Sequence, residues 1–382
     1  MTQSVTKEYN VIAFLAASAS VFQIMESFIP HPIAGVRLGL ANMITLIALV
    51  TLGFRAALEI AVIRTLISSF VLGTFLSPSF ILSFSGAVAS AAVMGLAFRL
   101  TTLTRRVLIS VVGISLIGSI VNNLTQISVV YLLLIKNKGI FFLIPWLGVS
   151  AVVMGWLNGI IAARVLKELQ EGSHKTASDN VILSPPGHPP RAGRGEESRF
   201  QPFSVPEKES PFHLIAPEIK IFFAVILSLV IVVSNNFFLY VFVVITGSFI
   251  IYLAGISLSA IFLTFRKISS FILCSFFLPL SFNFSVDGLY EGLTPAVRIT
   301  LLAMVSIILV NTTSPEQLTK GLGKIVSLRF LELLMNSWAM LPSLWEKIHL
   351  LVKSKIMKRK SLKETIASLV FLITAVWQIE TQ

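Results

Sequence analysis

Apolar blocks about as long as a membrane span follow one another through most of this chain, and they restrict its fold more than any other feature. Backbone groups placed in hydrocarbon have no water to bond, so a spanning segment must be a helix or part of a closed barrel. In the first half the blocks cover 9–29, 40–54, 56–73, 79–100, 107–134 and 140–166, which read as six helices. The second block is short for a hydrocarbon core of ~30 Å unless it tilts or re-enters. Composition agrees: 13% of residues are charged, 55% are hydrophobic and the mean hydropathy is +0.87, whereas soluble domains carry about 25% charged residues. The expected class is all-α, a polytopic membrane protein.

The blocks are interrupted once, from Glu168 to Pro211, by polar sequence with seven prolines between Pro185 and Pro211. Such a segment cannot bury enough apolar surface to offset its ordering entropy, and it reads as a disordered linker. The chain therefore divides into membrane modules at 1–167 and 213–382 around a flexible linker, 168–212. Lys7 and Ala17–Ser20 faintly resemble a cleaved signal, but the apolar run continues to Phe28, which favours a retained helix. If the N-terminus lies inside, inner segments carry Lys7, Arg55, Arg99, Arg105, Arg106, Arg164 and Lys167, against Arg37, Lys136 and Lys138 outside. That bias puts the N-terminus and linker in the cytoplasm. The net charge of +12 then marks cytoplasmic loops rather than nucleic-acid binding. The single cysteine, Cys274, excludes a disulfide framework or a thiolate metal cluster within the chain.

Polar groups inside the first module are the informative ones. Glu26, Arg64, Asn122, Asn123 and Gln126 fall within apolar helices, and Arg37 and Asn42 flank the second. A charge at membrane depth costs at least ~2.5 kcal/mol and should face protein or water. Asn122 and Gln126 share one helix face, with Asn123 beside it. The set describes either a ligand pocket or hydrogen bonds that hold the helices together. Arg37 and Arg64 would suit an anionic guest, though Glu26 could neutralise one of them.

These residues also carry a resemblance. Glu26, Arg-Leu-Gly-Leu-Ala-Asn at 37–42, Arg64 with Gly73, Leu-Ser at 82–83 and Asn-Asn…Gln at 122–126 resemble the Gx transporter family. That family is also called heptaprenyl diphosphate synthase component I and is grouped with the substrate-binding components of energy-coupling-factor (ECF) importers. The resemblance covers nearly all of 10–165 and implies a substrate site at Glu26, Arg37, Asn42, Arg64, Asn122, Asn123 and Gln126. Where the family usually has His-Asn, this chain has Asn122-Asn123, which removes a titratable group.

In the second half, blocks at 219–233, 236–254, 258–284 and 294–311 read as spans, with Asn235 and Asn236 as a turn and 285–292 as a polar loop. Ser314, Pro315 and Glu316 mark a helix start. Leu331, Leu334, Trp338, Leu341 and Leu344 then recur at helical spacing, predicting an amphipathic helix near the membrane or against a partner helix. Seven basic and no acidic residues occur from Lys347 to Lys363, a face suited to anionic headgroups. Residues 365–378 are apolar again.

This half resembles the CbiQ-like transmembrane components of ECF importers over about 213–350. The matching stretches are Pro217 with Lys220, Glu-Gly-Leu…Arg at 291–298, Thr-Thr-Ser-Pro-Glu-Gln-Leu at 312–318 and Leu-Pro-Ser-Leu-Trp-Glu at 341–346. The resemblance implies docking to separate ABC-type ATPase subunits through Ala-Arg-Gly-type motifs. The first such region here reads Lys-Ser-Lys-Ile-Met-Lys-Arg-Lys at 353–360, so Arg359 is the candidate coupling residue, and no second motif precedes Gln382.

The chain has no Gly-x-x-x-x-Gly-Lys-Ser/Thr loop, so ATP would act only through those separate subunits. Prenyl transfer needs clustered aspartates to hold Mg²⁺, and the only aspartates are Asp179 and Asp287. The expectation is a non-enzymatic, multi-pass component of an ECF-type importer in the cell membrane, combining substrate capture with coupling. The alternative is a non-catalytic membrane subunit of polyprenyl diphosphate synthesis.

Overall fold

A computed structural model describes residues 3–28, 39–103, 109–178, 215–282, 284–323 and 326–356. Arg37, most of the linker, the apolar run at 365–378 and Arg359 lie outside these residues. Among the described residues every regular element is helical, as the apolar blocks require.

The six predicted blocks of the first module form α1 (Gln3–Ser27), α2 (Leu40–Leu52), α3 (Phe54–Val71), α4 (Pro78–Leu103), α5 (Val111–Val129) and α6 (Ile144–Ser178). α5 runs on through a π-helical turn, Val130–Ile135, and a 3-10 segment, Lys138–Leu143, leads into α6. α1, α4, α5 with its π turn, and α6 are long and apolar enough to cross a membrane. The 13 residues of α2 span only about 20 Å at 1.5 Å per residue, which bears out the expectation of a short second helix. Gly53, at φ +91°, separates α2 from α3 in a conformation that L side chains rarely adopt.

α6 corrects one sequence boundary. It stays helical to Ser178, so 168–178, assigned to the linker, belong to a helix. Polarity suggested a loop there, but the stretch before Gly172 contains good helix formers, and Lys167 pairs with Glu171 one turn on at 3.7 Å.

The second module contains α7 (Pro217–Val233), α8 (Phe237–Leu253), α9 (Leu258–Phe282), α10 (Val286–Thr312), α11 (Pro315–Leu322) and α12 (Leu328–Ile356). α10 corrects the polar loop read at 285–292, because Ser285 caps the helix by accepting from Gly288 N at 3.2 Å. Asp287 lies in the first turn, where a negative charge complements the helix dipole. The glycines that suggested a loop serve packing instead. A Cβ on Gly292 would lie 2.4 Å from the carbonyl oxygen of Phe276, so the close approach of α9 and α10 at this point requires glycine. Ser314 caps α11 in a capping box with Gln317, as the sequence indicated.

Asn235 and Asn236 form the expected turn, and a buried arginine holds it. Arg298 of α10 is 2% exposed and donates from Nε to Tyr240 Oη at 2.8 Å and from Nη2 to the Ser234 carbonyl at 3.0 Å. Asn235 Oδ1 also accepts from Arg298 Nη2.

The two modules do not merely share a tether. Leu333, Leu334, Leu341, Leu344 and Ile348 of α12 enter the same buried cluster as Ile12, Leu15 and Ala16 of α1. The amphipathic stripe of α12 therefore lies against a partner helix, and that partner is in the same chain. A second shared cluster stacks Phe70, Phe75 and Phe80, with centroids 4.6 and 5.0 Å apart, near Leu302 and Leu309 of α10. α1 is consequently buried on nearly all sides.

Candidate functional site

Each helix of the first module contributes polar groups to one interior strip. On α1, Gln23 and Glu26 lie one turn apart on the same face. On α3, Arg64 is 5% exposed, and its guanidinium bridges two neighbouring helices. Nη1 donates to Gln23 Oε1 at 2.7 Å and Nη2 to Asn42 Oδ1 at 2.5 Å. Gln23 Nε2 donates to Ser83 Oγ of α4 at 3.0 Å, extending the strip to a fourth helix.

Before α2, Glu26 Oε1 accepts from Gly39 N at 2.7 Å, and Asn158 Nδ2 of α6 donates to the Gly39 carbonyl at 3.2 Å. Gly39 has φ +72°, which explains why glycine precedes Leu40 in the Leu-Gly-Leu-Ala-Asn block. A Cβ there would also meet Asn158 Nδ2 at 3.2 Å.

At the other end, one turn along α4 from Ser83, Gly86 lets α5 approach closely. A Cβ on Gly86 would sit 2.5 Å from Asn122 Oδ1 and 3.1 Å from Gln126 Nε2. Gln126 is 8% exposed and packs beside Asn122 against this point of α4.

The sequence candidates therefore separate. Glu26, Asn42, Arg64, Asn122 and Gln126 come together in the strip. Asn123 turns away: its Nδ2 donates to the Leu147 carbonyl at 2.9 Å and tethers α5 to α6, the interhelical role that the sequence left open. Arg37 and Arg359 lie outside the described residues. Gln23, Ser83 and Asn158 were missed as site members, although Gln23 lies three residues before Glu26 and Asn158 is a lone amide in an apolar span. Among the described residues no three His, Cys, Asp or Glu side chains group closely enough to hold a metal.

Residues 15–165 match the family of heptaprenyl diphosphate synthase component I, and residues 208–376 match the family described as cobalt transport protein, CbiQ. No curated protein and no solved structure matches the chain. The two matched regions coincide with the two modules and leave only the linker and the chain ends outside. This polypeptide is a fusion of a module of the heptaprenyl diphosphate synthase component I family, the substrate-binding type of ECF component, with a CbiQ-type module, the transmembrane component of the same importer class.

Proposed function

We propose that the six-helix module captures a small polar solute in the strip running from Glu26 through Arg64 to Gln126, and that the CbiQ-type module couples its release to separate ABC-type ATPase subunits. The observation that carries this reading is the guanidinium of Arg64, 5% exposed among apolar helices and joined to Gln23 of α1 and Asn42 of α2. A charge at membrane depth is costly, and a bundle built only for stability would have an apolar side chain there. Arg64 donates to Gln23 Oε1 and Asn42 Oδ1, and a guanidinium so placed suits an acceptor-rich guest.

The N-terminus and the linker face the cytoplasm in this reading, as the distribution of lysine and arginine favours. Coupling would then take place on that side, with Arg359 as the candidate contact to an ATPase groove. The chain itself supplies no phosphate-binding loop, so ATP is used only by the partner subunits.

The test is uptake by cells expressing the full chain with its ATPase subunits, using the solute identified by mass spectrometry on purified protein. Loss of uptake in Arg64→Ala and Asn42→Ala is expected, and unchanged uptake in both would remove the site. Co-purification separates the alternative: a soluble prenyl synthase, instead of ATPase subunits, would favour the role in polyprenyl diphosphate synthesis.

A further inference from the structure

We propose that the hairpin of α7 and α8 is shorter than the hydrocarbon around it, so that the bilayer thins there and lipid headgroups settle over the hairpin tip at Asn235 and Asn236. Two anchors measure the hairpin against α10. At the base, Lys220 Nζ donates to the Thr312 carbonyl at 2.7 Å, and at the tip, Arg298 Nη2 donates to the Ser234 carbonyl at 3.0 Å. Ser234 follows Lys220 by 14 residues and Thr312 follows Arg298 by 14, so both helices set the anchors about 21 Å apart at 1.5 Å per residue. A hydrocarbon core is ~30 Å thick. Tilting the pair of helices would only lower the height it covers.

Both ends of the hairpin are polar. The base carries Glu218, Lys220 and the capping box of Ser314 with Gln317, and the tip exposes Asn235 and Asn236. At ordinary bilayer thickness one of these layers would sit about 9 Å inside hydrocarbon, where polar groups have no water to bond. The neighbours of the tip indicate what covers it. Val233, Phe237 and Phe238 are exposed beside the two asparagines. Apolar and amide side chains facing outward at one level fit the boundary between acyl chains and headgroups, not open water. Beyond the tip, α10 continues for 12 residues, Val286 to Val297, about 18 Å along its axis. Asp287, Glu291 and Thr294 precede Arg298 at spacings that place all four on one face, the face that meets the tip. Asp287 and Glu291 are exposed, and Glu291 Oε2 accepts from Asn137 Nδ2 of the first module at 3.1 Å. Headgroups and water can cover such a face, whereas acyl chains cannot. A bilayer meets a short apolar segment by thinning, at modest cost per ångström.

Depth-dependent fluorescence quenching of the full chain in dioleoylphosphatidylcholine vesicles tests this. In a Cys274→Ser background, Val233→Cys, Phe238→Cys and Phe242→Cys each carry one fluorophore at an exposed position. The first two report the tip, so either serves if the other fails to fold. Phe242 lies about 9 Å further along α8, towards the base. The vesicles contain phospholipid with a nitroxide on the headgroup or at mid-chain. The headgroup nitroxide should quench the fluorophores at 233 and 238 at least twofold more strongly than the mid-chain one, and the order should reverse at 242. Quenching at 233 and 238 that is at least as strong from mid-chain would place the tip among acyl chains and overturn the proposal. Quenching of all three positions by aqueous iodide, with neither lipid effective, would show a water-filled crevice and overturn it as well.

Discussion

Arg329, in the first turn of α12, reaches out of the second module to Glu59 of α3, with Nη2 3.2 Å from Oε2. The same guanidinium lies 3.9 Å from Glu8 Oε1 and 5.1 Å from the centre of the Tyr9 ring, both on α1. One side chain of the CbiQ-type half thus engages two helices of the other half. Its neighbours along α12 are the leucines buried against α1. The packing of that apolar stripe against α1 supplies most of the contact, and a partly exposed ion pair adds little to it. The ion pair instead ties the start of α12 to α3.

A double-mutant cycle with Arg329→Gln and Glu59→Gln should therefore return a coupling of about 0.5–1 kcal/mol. High salt should reduce it. Thermal unfolding of the purified chain measures it, and a coupling of zero would show that the pair does not constrain the two halves.

Leu341 is fully buried between α12 and α1. Leu341→Ala should cost about 2–5 kcal/mol through lost burial and the cavity left behind. With a protease site inserted at 185–200, the unaltered halves should co-purify after cleavage and the Leu341→Ala halves should separate. Co-purification of both would locate the strength of the association elsewhere.

Arg64 bridges Gln23 and Asn42 with two separate nitrogens. Arg64→Lys keeps the charge but replaces the planar fork with one compact ammonium, which cannot reproduce both bonds. Uptake should fall at least tenfold in Arg64→Lys, nearly as far as in Arg64→Ala. Full uptake by the lysine variant would mean that charge alone is required.

Tyr240→Phe removes the acceptor for Arg298 Nε and also the donor that reaches the Ser234 carbonyl. Hydrogen bonds to charged groups contribute about 1.5–3 kcal/mol, so a loss of that order is expected. Solute binding should be unchanged, because these bonds lie in the other module. A lower thermal midpoint with unaltered binding checks both parts.

Much of this architecture is legible in the residue order. The six helices of the first module fall close to where the apolar blocks end, because a segment that leaves water has to close its own backbone hydrogen bonds. The capping box at Ser314 and the Asn235–Asn236 turn are local as well, each decided by side chains within a few residues. The two corrections, at 168–178 and 285–292, share one cause. Polarity and glycine are loop signals only where nothing competes with them. Helix formers and the Lys167–Glu171 pair outweigh them in α6, and capping by Ser285 with the close approach of α9 at Gly292 does so in α10.

The sequence by itself determined that this protein is helical, suited to a membrane and divided into two modules, since those properties depend on composition and on spacing along the chain. It also marked Glu26, Asn42, Arg64 and Gln126 as out of place in apolar surroundings. Only the tertiary structure decided that Asn123 ties α5 to α6 while its neighbours face the strip, and that Gln23, Ser83 and Asn158 complete that strip. The same holds for α12 lying along α1. Which face of a helix meets which neighbour depends on contacts between residues far apart in the chain, such as Arg64 with Gln23 or Arg329 with Glu59, and no local pattern encodes those pairings.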